Sequence, residues 1–262
     1  MEKYIWIFFL WSFQTFAIIS DFRYLKARDS HLIFDDKLNT REVAITFAGR
    51  IDSDILSKIV TKLEAENLTA HFFLNGDSAM ENLQIVNQLA SRGHVIGSQG
   101  LSVAKVKSPV ANEQEMLTEI QIGHEAVFAS IGFVYPFIRL SPRQGSIAVR
   151  EMIKESGAFA FYWNIDFYPE NPAQSMRDNL KREDYRGIVS FPLFRESTLV
   201  ALDTLIEEIK KEDLTVITVL PSEESSWREH PPIVRKAIRE EIQKNGSIYR
   251  RKVVERRDEY EI

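Results

Sequence analysis

The sequence predicts an α/β protein, a distorted TIM-like (β/α) barrel of about seven parallel strands. Three observations predict it. Apolar runs of strand length alternate with amphipathic helical segments between residues 43 and 220. Each strand is followed by a helix or a long connection, the order that parallel neighbours require. The chain of 262 residues is long enough to bury one full-sized barrel core.

The elements follow in order. In VAITFAGR (43–50), Val43, Ala44, Ile45 and Phe47 make the first strand, since β-branched residues favour an extended backbone. Gly49 and Arg50 open a loop, and Asp52 or Ser53 can cap the helix behind it. That helix carries Ile51, Ile55, Leu56, Ile59, Val60 and Leu63 at a 3.6-residue period. Residues 69–74 are the second strand, followed by a helix with Leu83, Val86 and Leu89 on one side. Residues 94–98 are the third. Asn112 with Glu115 has the spacing of a capping box, opening a helix whose apolar face is Met116, Ile120, Val127, Phe128 and Ile131. Residues 134–140 form the fourth strand, with Pro136 near its start. Ser146 opens a helix through Met152 and Ile153 that Gly157 closes. Residues 158–163 and 187–191 are the fifth and sixth strands. Ser197 caps a helix with Leu202, Leu205, Ile206 and Ile209, and residues 214–220 are the last strand.

Composition excludes several classes. A net charge of −5 gives no reason to expect nucleic acid. The absence of cysteine excludes disulfides and thiolate metal sites. At the N-terminus, Lys3 precedes an apolar run at 4–19 that is short for a span and suits a signal-peptide core. Ser20 is a small residue suited to cleavage, whereas Ile18 is a poor one, and Arg23, Lys26 and Arg28 oppose export. The expectation is an exported protein, periplasmic, secreted or anchored, touching a membrane only through residues 1–20 as signal peptide or anchor. A buried N-terminal segment of a cytosolic protein is the alternative. Residues 21–40 lack periodicity and form a lead-in; 41–221 form the barrel. Residues 222–262 form a charged helical tail, interrupted by Pro231 and Pro232.

VAITFAGR resembles the first signature of the polysaccharide deacetylase family (NodB homology), approximately V-A-L-T-F-D-D-G. TAHFFLNG (69–76), RGHVIGSQG (92–100) and GIVSFPL (187–193) resemble later signatures of that family, and residues 197–219 resemble its closing helix and strand. The resemblance implies a scaffold built to remove N-acetyl groups from a glycan. In such an enzyme an Asp and two His hold a divalent metal, a carboxylate accepts the proton of water, and a His protonates the departing amine. Here the base position holds Ala48, the metal positions hold Gly49, Gln99 and Val103, and the acid position holds Pro192, followed by Leu193. Neither Ala48 nor Pro192 can move a proton, and Gly49 and Val103 offer no ligand. The expectation is therefore a noncatalytic member with no catalytic residue, metal or cofactor. It would bind an N-acetylated glycan, such as peptidoglycan, or an envelope protein.

The candidate pocket residues are Arg50, Gln99, Arg139, Arg143 and Asp166. Arg139 resembles the family arginine that orients the base, although an extra residue precedes Pro142; Asp166 matches an acidic position, while Pro169 and Glu170 replace a later Asp-Trp pair. If Arg50, Arg139 and Arg143 face the barrel mouth, the pocket is cationic and suits a carboxylate or phosphate. Alternatively they pair with Asp166, Glu170 or other surface acids. Of the histidines, His31 and His230 lie in the flanks, His94 at the opposite barrel face and His124 on a helix, while His71 could point inward. No His cluster, G-x-S-x-G or phosphate loop is present. Two alternatives stay open. One is an active amide (carbon–nitrogen) hydrolase with a displaced site using Asp166, Glu170 and His71. The other is a partner module working through the tail from Ser222.

Overall fold

The structure is a computed structural model that describes residues 18, 20–25, 32–33, 38–101, 113–139, 149–151, 153 and 158–221. The N-terminal apolar run apart from buried Ile18, the Asn112 cap, most of the helix expected from Ser146 and the C-terminal tail lie outside the described residues.

Strands β1 (Ser20–Leu25), β2 (Leu32–Ile33) and β3 (Glu42–Gly49) lead into α1 (Ser53–Ala65). Then come β4 (His71–Leu74), α2 (Gly76–Glu81), α3 (Leu83–Ser91), β5 (Val95–Ser98) and α4 (Glu113–Ile131). The chain continues through β6 (Phe137–Arg139), β7 (Phe159–Phe161), α5 (Pro172–Arg182), β8 (Gly187–Pro192), α6 (Ser197–Lys211) and β9 (Thr215–Pro221). The strands form one sheet in the order β1-β9-β3-β4-β5-β6-β7-β2, with β8 on β3. Among the described residues every strand pairing is parallel. Past β7, Ile165 bridges to Val189 of β8, which curls the sheet back toward β3 and gives the expected distorted (β/α) barrel.

The expected strands are β3 to β9. Residues read as a lead-in also supply β1 and β2, which pair with β9 and β7. Their partners lie far along the chain, so no local pattern announces them.

Alternation along the strands separates two layers. Phe47 stacks on Phe72 at 4.9 Å and on Phe191 at 5.2 Å, on the helix-facing side. On the other side His71, Phe73, Phe137 and Phe161 fill the barrel, with His71–Phe161 and Phe73–Phe161 centroids 5.0 Å apart. The stripe of α1 is buried as its period requires, and Asp52 caps the helix by accepting from the Asp54 and Ile55 N–H groups.

Three helix readings need correction. Ser197 is the first residue of α6 rather than its cap; Glu196 occupies that position without a side-chain bond. The carbonyl of Pro192 is instead bonded by the Thr198 hydroxyl at 2.7 Å, which ties α6 to the end of β8. Leu83 is 48% exposed, while Ile85, Val86 and Leu89 carry the buried face of α3. Helix α5 was not expected. Its buried face contains Ser175 and Asn179 beside Met176 and Leu180, too polar for an apolar stripe. Among the described residues, no helix is long and apolar enough to cross a membrane.

Candidate functional site at the barrel mouth

The loops leaving the C-terminal ends of parallel strands are where such barrels carry chemistry. Ala48 of β3 pairs in register with Pro192 of β8, so the expected base and acid positions are neighbours. The Leu193 N–H donates to the Ala48 carbonyl at 3.2 Å, holding the two exits together. Gly49 has φ +111°, and a Cβ built there would lie 3.9 Å from the Gln99 Oε1 and 3.5 Å from Phe194. The expected metal positions Gly49 and Gln99 therefore also meet at this mouth. Val103 and Arg143 lie outside the described residues.

A close backbone approach places Gln99. Gly123 of α4 sits so near Gly100 and Leu101 that a Cβ would overlap their backbone atoms. Helix α4 thereby packs against the β5 exit, and the Gly76 and Asp77 N–H groups donate to the Gly100 and Leu101 carbonyls.

Arg139, at the end of β6, is 1% exposed. Its Nη1 donates to the Thr46 hydroxyl, which donates onward to the Val189 carbonyl at 2.7 Å. The guanidinium lies 4.1 Å from the Trp163 ring and 5.4 Å from Phe73. Its Nη2 has no hydrogen-bond partner among the described residues. Burial pulls the Arg139 pKa down to about 9, while the negative charge of Asp166 pushes the other way. The group stays cationic at neutral pH. Asp166 itself is exposed, and its carbonyl accepts from the Asn179 amide at 2.7 Å.

Two further polar atoms at this level are buried without partners among the described residues: the Asn75 Oδ1 and the Gln99 Oε1. The register places them. Leu74 pairs with Ser98, and Ser98 with Ile138, so Asn75, Gln99 and Arg139 each stand one residue further along adjacent strands. Sequence reasoning missed Asn75, which directly follows an apolar strand and reads as an ordinary loop residue. Its position one step past Leu74, level with Gln99, was the available signal.

Arg50 turns away from this group. Its side chain is 70% exposed and faces Glu81 at 3.5 Å, a surface pairing of small energetic weight. His71, Asp166 and Glu170 do not assemble into a proton-transfer set. His71 is fully buried; its Nδ1 lies 3.3 Å from the Ile45 carbonyl, and its Nε2 accepts from the Val219 N–H at 3.1 Å. Burial lowers its pKa to about 4, so the ring is neutral and both nitrogens are engaged by backbone. Asp166 and Glu170 are exposed.

The residues described at the mouth do not fit a divalent metal. Gln99 offers one neutral amide oxygen, Gly49, Ala48 and Pro192 offer no side-chain donor, and the nearby buried charge on Arg139 is positive. Catalytic zinc ordinarily takes three protein ligands. Among the described residues no group of three His, Asp or Glu comes together.

The fold is an α/β barrel with its candidate site at the C-terminal strand ends. A polysaccharide deacetylase family model matches residues 32–157. A peptidoglycan-N-acetylglucosamine deacetylase of Bacillus cereus is 30% identical over 204 residues, 72% of this chain and 70% of that protein. The chain belongs to the polysaccharide deacetylase family. A Bdellovibrio bacteriovorus peptidoglycan deacetylase structure superposes with a TM-score of 0.71 at 22% identity, covering 79% of this chain and 60% of that one. A CE4 family pseudoenzyme from Bacillus anthracis shares the fold at a TM-score of 0.59 and 18% identity, over 72% of this chain and 66% of its own.

Proposed function

We propose that this chain is an exported, noncatalytic member of the deacetylase family that binds an N-acetylated glycan, such as peptidoglycan, at its barrel mouth. One observation carries the reading. The positions where the family resemblance places base, metal ligand and acid converge, as Ala48 beside Pro192 and Gly49 beside Gln99, and hold no group that transfers a proton or binds a cation firmly.

Glycan binding is supported by aromatic side chains near the strand ends. Tyr168 is 63% and Phe194 48% exposed, in the segments after β7 and β8, and half-buried Trp163 stacks on Arg139. Rings in this setting offer apolar faces to a sugar. The Bacillus cereus and Bdellovibrio relatives carry peptidoglycan in their names, which favours a wall glycan and an exported protein. The Bacillus anthracis relative shows that the scaffold accommodates a pseudoenzyme. The N-terminal apolar run supplies a route out of the cytoplasm as signal peptide or anchor.

The test uses the purified full chain with insoluble peptidoglycan and N-acetylated chito-oligomers, with and without zinc or cobalt. The expected result is co-sedimentation with the polymer and acetate at the blank level. Metal-dependent acetate release that follows the protein through purification would overturn the noncatalytic reading. Failure to bind either glycan would overturn the glycan reading.

A further inference from the structure

Arg139 poses a problem that the glycan reading alone leaves unsolved. It is a buried cation with no ion pair among the described residues, stacked on Trp163 and holding one hydroxyl. A desolvated charge without a counter-charge is unfavourable, and a buried partner of opposite charge offsets much of that penalty. Its Nη2 donor is unused, and its planar fork matches the two oxygens of a carboxylate. The expected base position, at the end of β3, holds Ala48 rather than a carboxylate, two residues beyond the Thr46 that Arg139 already holds. Asp166 is exposed and tempers the charge from a distance without bonding it.

We propose that Arg139 is the receptor for a carboxylate on the ligand, so that the glycan bound at this mouth is an acidic N-acetylated sugar. The proposal rests on the glycan reading and adds the chemical class of sugar. The unpartnered Asn75 and Gln99 oxygens, on the two neighbouring strands, suit the hydroxyl or N–H donors that such a sugar carries beside its carboxylate. Trp163 covers the face of the guanidinium at 4.1 Å, so a carboxylate bonded to Nη2 in the guanidinium plane lies beside this ring. Binding therefore reports itself in the fluorescence of Trp163.

The test titrates the full chain with N-acetylmuramic acid, its methyl ester and N-acetylglucosamine, reading tryptophan fluorescence with Trp163→Phe as the signal control. A parallel arm compares thermal unfolding in sodium acetate and sodium chloride at equal ionic strength. The expected result is at least about tenfold tighter binding of the acid than of the ester, the worth of one charge-assisted bond pair. Arg139→Met should erase that preference, and acetate should raise the midpoint only in the protein that keeps Arg139. Equal binding of acid and ester, or a preference that survives in Arg139→Met, overturns the proposal; the acid–ester comparison needs no variant. If no sugar binds but acetate acts through Arg139, the carboxylate receptor stands and the glycan reading falls. If neither sugar nor acetate acts, both fall.

Discussion

Two neighbouring levels of the barrel interior treat their buried polar groups in opposite ways: His71 pairs in register with Thr46, the residue that Arg139 holds, one step below the mouth. Toward the start of β4, His71 sits among Phe73, Phe137 and Phe161, yet both its nitrogens meet backbone groups of β3 and β9. It fastens β9 where that strand departs from β3, whose register with it covers only Glu42 and Val43. At the mouth, Arg139, Asn75 and Gln99 each keep a buried polar atom without a partner among the described residues. A fold that satisfies a histidine in its deepest layer is able to satisfy its polar groups. Buried Ser20 Oγ at the start of β1 also lacks a partner among the described residues, but only at the mouth do three such groups collect on adjacent strand ends, and the proposed site rests on that clustering.

Substitutions at the two levels should give opposite results. His71→Ala should lose about 4 kcal/mol in urea unfolding, from the cavity and from the stranded Val219 N–H. A loss under about 1 kcal/mol would show that β9 does not depend on this ring. Acid should act on the same residue. The folded state holds the His71 pKa near 4, below the ordinary 6.5. The stabilisation is therefore fully present above pH 6.5, falls as the unfolded chain takes up its proton between 6.5 and 4, and levels off below 4. That fall is about 3 kcal/mol, and it should vanish in His71→Gln.

At the mouth, Arg139→Met should raise stability by about 2 kcal/mol, because it removes a buried charge without a counter-charge. A strong loss of stability would mean that Arg139 is paired in solution and that the mouth is as satisfied as the His71 level below it. The smallest effect concerns a region belonging to neither level. Asp52→Ala should lose about 1 kcal/mol through the cap of α1, with no change in ligand binding.

The scaffold was legible where local pattern and tertiary role agree. The seven expected strands reappear as β3 to β9 because fully buried parallel strands read as apolar runs. Strands β1 and β2 escaped because only distant partners make them strands. Helix α5 escaped because its inward face includes Ser175 and Asn179, whose hydroxyl and amide are bonded locally. The site was legible as positions. The neighbourhood of Ala48 and Pro192, and of Gly49 and Gln99, followed from motif order. What each side chain does was not: the outward turn of Arg50 to Glu81 and the burial of Arg139 under Trp163 depend on strand register and on the neighbouring helices.

The proposed noncatalytic role requires that the mouth formed by Ala48, Gly49, Gln99, Arg139 and Pro192 bind no metal. Calorimetric titration of the purified, chelator-treated full chain with zinc tests it most directly. The account predicts no stoichiometric binding at micromolar protein. One tightly held zinc ion per chain, lost when Gln99 is replaced by Ala, would contradict it.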